Sequence, residues 1–128
     1  MTDLNYLALS ALLAWLQLIV ASLLRSRSWT PAGMSVAFGN RDEVLEPSPL
    51  AGRADRAARN MLEGLLLFTA LMAAVRLGGE PAPASAAALF FWARVVYFAV
   101  YLAGIRYLRT LVWIASVVAL GRIAAAAF

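Results

Sequence analysis

The sequence predicts an all-α integral membrane protein, a single four-helix bundle over residues 1–128. Three observations predict it. The chain is 63% hydrophobic and only 14% charged, with a mean hydropathy of +0.78. A soluble domain carries roughly 45–50% apolar and about 25% charged residues. Four apolar stretches, each near the roughly 20 residues a membrane helix needs, follow one another, separated by one sizeable loop and two short turns. The few polar residues inside them recur at spacings of three and four, the spacing of one helical face.

The first span runs from Leu4 to Leu24 and is stopped by Arg25 and Arg27. It lacks the basic start of a cleaved signal, and Asp3 has the wrong sign, so it is expected to be retained. Residues 25–53 form the one sizeable loop. Gly39-Asn40-Arg41-Asp42-Glu43 and Pro47-Ser48-Pro49 predict irregular structure there. The second span, Ala54 to Val75, ends at Arg76, Gly78 and Gly79. Gly78-Gly79-Glu80-Pro81 predicts a tight turn into the third span, Ala84 to Gly104. Ile105 to Tyr107 predicts another short turn, and the fourth span covers Leu108 to Phe128. The alanine-rich pieces at 83–88 and 124–127 read as helix ends and close-packing surfaces.

Composition also excludes chemistry. The chain has no Cys, no His and no Lys; all 11 basic residues are arginine. Disulfides, thiolate or imidazole catalysis and Schiff bases are ruled out, and no metal site is expected. Arginine forks suit carboxylate and phosphate. The pI near 10.3 does not indicate nucleic acid, because the charges lie beside apolar segments. Arg25, Arg27, Arg41 and Arg53 fall in the first loop, and Arg106 and Arg109 at the third connection. The positive-inside rule then puts both connections in the cytoplasm and both termini outside. Trp15, Trp29, Trp92 and Trp113 read as lipid anchors or packing residues.

Glu63 carries the functional argument, since a carboxylate within a membrane helix needs a partner or a task. Arg53, Arg56, Asn60 and Glu63 share one face of the second span; Arg94, Tyr97 and Tyr101 share one face of the third. Glu63 lies about 14 Å and Arg94 about 15 Å from the cytoplasmic ends of their spans, at about 1.5 Å per residue. The two are therefore expected to pair at the floor of a polar cleft lined by Asn60, Tyr97 and Tyr101. Blander readings compete: a buried clamp for Glu63 and Arg94, packing for the tyrosines, headgroup contacts for Arg53 and Arg59, and snorkelling for Arg122. The converging set suits a flexible polyanion that also carries an amine and amides.

Two blocks resemble the MAPEG family, the membrane-associated proteins in eicosanoid and glutathione metabolism. Arg56-Ala57-Ala58-Arg59-Asn60-Met61-Leu62-Glu63 matches the Arg-x-x-x-Asn-x-x-Glu of its second helix. Arg94, Tyr97 and Tyr101, followed by Arg106-Tyr107-Leu108-Arg109-Thr110, match its third helix and the arginine opening the fourth. Gly39-Asn40-Arg41-Asp42 looks like the bacterial branch. Gly64 departs from the leukotriene-forming branch, which has a tyrosine there. The resemblance implies a homotrimer in a bacterial inner membrane, with glutathione sites between protomers opening to the cytoplasm. It implies that Arg109, with Thr110 beside it, stabilises the glutathione thiolate. Arg56, Asn60, Glu63, Arg94, Tyr97, Tyr101 and Arg106 would hold glutathione, joined by Arg25 or Arg27 from the first helix. The implied activity is that of a glutathione transferase or peroxidase, with a lipophilic electrophile entering from the bilayer. A non-catalytic scaffold or small-molecule-binding protein of the same fold, and a small four-helix exporter, are the other classes. So many arginines around Glu63 disfavour an exporter of cations.

Overall fold

Thr2 starts the first helix. Its side chain accepts from the Asn5 N–H while the Asn5 side chain accepts from the Thr2 N–H, a reciprocal cap at the N-terminus. The computed structural model describes residues 1–40, 42 and 46–128. Among them it has five helices and no strand: α1 (Asp3–Ser26), α2 (Pro31–Phe38), α3 (Pro49–Leu77), α4 (Ala84–Ala103) and α5 (Arg106–Ala125). Four of these, all but α2, are long and apolar enough to cross a membrane.

Helix α1 lies antiparallel to α3, because Asp3 meets Arg76 at one end and Arg25 meets Asp55 at the other. Helix α4 packs beside α1 and α3, and α5 packs along α4. Small residues let these backbones approach: Ala14, Ala21, Ala54, Ala57, Ala58, Ala86, Ala87 and Ala119 are all buried. Phe68 and Phe90 fill the centre, with ring centroids 4.3 Å apart. Leu66, Leu111 and Trp15 point outward and are exposed, as a hydrocarbon surround favours.

Three boundaries differ from the sequence expectation. Residues 31–38 are a short helix, with Thr30 accepting from the Gly33 N–H and Pro31 at its first position. A Cβ on Gly33 would stand 2.0 Å from the Arg27 carbonyl oxygen, so this glycine fits α2 tightly against the end of α1. Helix α3 begins at Pro49, ahead of the expected Ala54, because Ser48 caps it and proline suits its first turn. Its 29 residues measure about 43 Å, well beyond a hydrocarbon core of about 30 Å. Helix α5 begins at Arg106, so the turn shrinks to Gly104 and Ile105. Gly104 makes this possible with a left-handed φ of 77°. Of the loop motif at 39–43, Arg41 and Glu43 lie outside the described residues, so the motif as a whole is not described.

At the end of the bundle away from α2, Asp3 is 3% exposed although charged. Its carboxylate accepts from Arg76 Nε at 3.1 Å, Arg76 Nη2 at 2.5 Å and the Ala82 N–H at 3.1 Å. One residue thus fastens α1 to the end of α3 and to the approach to α4. The sequence marks Asp3 only as the wrong sign for a cleaved signal and Arg76 only as the end of the second span; the pairing is a finding of the structure.

Candidate functional site

At the α2 end, side chains from α3, α4 and α5 converge on Tyr101. Arg56 Nε donates to the Tyr101 hydroxyl at 3.2 Å. The Arg109 guanidinium lies 4.8 Å from the Tyr101 ring centroid. Tyr97 meets Tyr101 edge to face at 5.4 Å. Local structure brings these groups together. The Gly104 N–H donates to the Tyr101 carbonyl and the Ile105 N–H to the Val100 carbonyl, closing α4 so abruptly that α5 folds straight back. Arg53 Nε donates to the Leu102 carbonyl at 3.1 Å and fixes α3 against that turn.

Three hollows share Tyr101 as a common wall. An outer lobe of about 460 Å³ is walled by the start of α3, by the turn at Gly104 and Ile105, and by Arg53, Arg56, Arg106 and Arg109. A second lobe of about 280 Å³ lies between Asn60, Tyr97, Arg109, Thr110 and Trp113. A third of about 270 Å³ is lined by Arg56, Arg59, Asn60, Glu63 and Tyr97. Arg56, Arg109, Asn60 and Tyr97 each border two lobes, so the three read as parts of one groove.

Eight of the nine residues expected at a site line this groove: Arg56, Asn60, Glu63, Tyr97, Tyr101, Arg106, Arg109 and Thr110. The ninth, Arg94, lies behind it, 3% exposed. The expected Glu63–Arg94 ion pair is absent among the described residues. Arg94 Nη1 instead donates to Asn60 Oδ1 at 2.6 Å, and its guanidinium lies 5.2 Å from the Phe90 ring centroid. The reason is helical geometry. Asn60 and Gly64 are one turn apart on the face that meets Arg94, whereas Glu63 is turned about 100° from Gly64. Glu63 is exposed, towards the third lobe. Gly64 follows from the same packing, because a Cβ there would stand 2.4 Å from Arg94 Nη2.

Three further residues line the groove. For Arg53, shared-face and headgroup readings compete in the sequence; Arg59 is expected as a loop or headgroup contact, and Trp113 as a lipid anchor or packing residue. Arg53 does sit three residues before Arg56 and Trp113 four after Arg109, on the faces that form the groove. Neither helix-one arginine lines the three lobes. Arg25 pairs with Asp55, and Arg27 ends α1 with a left-handed φ of 50°.

The sequence model of the MAPEG family matches residues 4–128, nearly the whole chain. The chain belongs to the MAPEG family. Comparison with curated proteins found no match, and neither did comparison with solved structures. With its four apolar helices, this MAPEG chain is an integral membrane protein. The family includes glutathione transferases and peroxidases, and its members generally use glutathione and assemble as trimers.

Proposed function

We propose that this MAPEG chain binds glutathione in the Tyr101 groove and transfers its thiolate to lipophilic electrophiles. The observation that carries the reading is the meeting of Arg56 and Arg109, from two helices, on one tyrosine beside Asn60 and Glu63. Arg109 places positive charge next to the sulfur and lowers the thiol pKa, so the thiolate is populated near neutral pH. Thr110, in the same lobe, donates a hydrogen bond to the sulfur. Arg56 takes a carboxylate, and Glu63 takes the ammonium of the γ-glutamyl end. Asn60, Tyr97 and Tyr101 serve the amides. Arg94 does not touch the ligand. It occupies Asn60 Oδ1 and so turns the Asn60 amide N–H groups towards the groove, which makes it a positioning residue.

The sulfur forms a bond to an electrophilic carbon, and the leaving group departs with its electron pair. The thiol proton passes to water. With a hydroperoxide, sulfur attacks one peroxide oxygen and the O–O bond breaks, leaving a sulfenic acid and an alkoxide that takes a proton from water; a second glutathione thiol then forms the disulfide and the sulfenic oxygen leaves as water. The electrophile enters sideways between Thr110 and Trp113, where the second lobe opens on α5.

The working unit in this reading is a homotrimer in a bacterial inner membrane. Arg56, Arg59 and Glu63 are exposed on a membrane-spanning helix of the single chain. Charges facing lipid are costly, so a neighbouring copy covers that face and completes the site. Titration calorimetry of glutathione into detergent-purified protein tests the reading, with ultraviolet absorbance reporting thiolate. No saturable binding at about millimolar glutathione would overturn it and leave a non-catalytic scaffold of the same fold.

A further inference from the structure

The outer lobe holds more positive charge than the proposed glutathione site needs. Five arginines line the groove, Arg53, Arg56, Arg59, Arg106 and Arg109, against one carboxylate, Glu63. The thiolate form of glutathione, with two carboxylates, one thiolate and one ammonium, falls short of that excess even when Arg59 is set against Asp55. Elsewhere Arg25 and Arg59 share Asp55 and Arg76 takes Asp3, while Arg94 and Arg122 donate to the neutral Asn60 and Ser85. Among the described residues, none of the four arginines of the outer lobe pairs with a carboxylate.

The start of α5 sharpens the imbalance. Its first turn has no acidic residue and no side-chain cap, and it carries Arg106 and Arg109. Positive side chains at a helix N-terminus oppose the macrodipole, and the first N–H groups lack helical partners. Such a local conflict is relieved by an anion in the lobe of about 460 Å³ that these groups border. The lobe's height selects the anion. It is walled by the first two turns of α3, and a helix of about 43 Å exceeds a hydrocarbon core of about 30 Å; Arg53, Asp55 and Arg56 make this the polar end, the one favoured outside the core. With that polar end outside the core, lipid phosphates stand level with the lobe.

We propose that the outer lobe is a second anion site that takes a phosphate group on Arg53 and Arg106, and that it remains open while glutathione occupies the inner lobes. A phosphate offers enough oxygens to engage two guanidinium forks at once. The phosphate is that of an anionic lipid headgroup or of a free phosphate ester. Simultaneous occupancy rests on the glutathione reading; the phosphate site does not.

Two probes are titrated into the detergent-purified full chain, each with and without saturating glutathione. They are inorganic phosphate and a short-chain phosphatidic acid, with the matching phosphatidylcholine as control. A saturable phosphate isotherm that persists with glutathione bound is the expected result. Arg53→Gln and Arg106→Gln should each weaken it about tenfold or more, the scale of one lost charge-assisted hydrogen bond. Arg106 is exposed, so its variant keeps the fold even if Arg53→Gln loosens the turn. Binding of phosphatidic acid alone assigns the site to lipid headgroups; binding of both probes assigns it to phosphate in general. Competition between phosphate and glutathione overturns the second site, as do isotherms unchanged in both variants or no binding of either probe. A missing glutathione isotherm beside an intact phosphate isotherm overturns the glutathione reading alone.

Discussion

Arg56 reaches the hydroxyl of Tyr101 while Arg109 lies over its ring, and the two contacts separate their expected roles. Arg109 also borders the Thr110 lobe, so Arg109→Ala should abolish the thiolate absorbance of bound glutathione while leaving much of the affinity. Arg56→Ala should weaken glutathione binding by about 1.5–3 kcal/mol, the scale of a hydrogen bond to a charged group. An unchanged thiolate signal in Arg109→Ala would move the activating role to Arg106. Arg94 makes a different case. Its neighbour at matched depth was legible from helical rise, but the partner was not, because depth does not fix azimuth. Asn60 and Gly64 hold the face that meets Arg94. A double-mutant cycle should therefore show coupling between Arg94→Gln and Asn60→Ala, and near-additivity between Arg94→Gln and Glu63→Gln. Thermal unfolding of both sets measures this, and strong Arg94–Glu63 coupling would restore the ion pair. Gly64→Ala should lower thermal stability as well, since the buried guanidinium must move.

Elements meet through contacts that join distant parts of the sequence, and here the sequence was less readable. The four spans follow from apolar runs and stop signals because those are local. The Asp3–Arg76–Ala82 fastening joins residues 73 and 79 positions apart, and no periodicity announces it. Asp3→Asn should lose charged hydrogen bonds worth about 1.5–3 kcal/mol, towards the low end because Arg76 is partly exposed. Adding Arg76→Gln should cost much less than its separate effect; equal costs with and without Asp3 would dissolve the clamp. Helix α2 was hidden for another reason. Its eight residues are too few for a clear period, although Thr30 and Pro31 are ordinary start signals. Gly33 meets backbone oxygens, which cannot rotate aside as a side chain can. Gly33→Ala should therefore pull α2 away from α1 and raise proteolysis of the loop, whereas Ala32→Gly should not.

At the scale of the whole molecule, the groove and the Asp3 clamp occupy opposite ends of one bundle, so orientation decides what the groove can meet. Four spanning helices return the chain to the side on which it began. The groove end gathers Arg25, Arg27, Arg53, Arg56, Arg59, Arg106 and Arg109, while the clamp end has Arg76, bound to Asp3, and Arg122, donating to Ser85. This asymmetry was readable without coordinates, because arginine retention at the cytoplasmic face acts on short connections near span ends. The lobes were not readable, because they arise where the start of α3 meets the turn at which Gly104 reverses the chain within two residues. The proposed cytoplasmic groove, with its supply of glutathione, rests on the arginine asymmetry alone. A reporter fused after Phe128 should then label as external, and one inserted beside Pro47 as cytoplasmic. The groove lies at the Pro47 end, so the two reporters fix its side as well as that of the termini. Reversed labelling would put the groove outside, remove it from cytosolic glutathione, and leave the proposed transferase without its thiol.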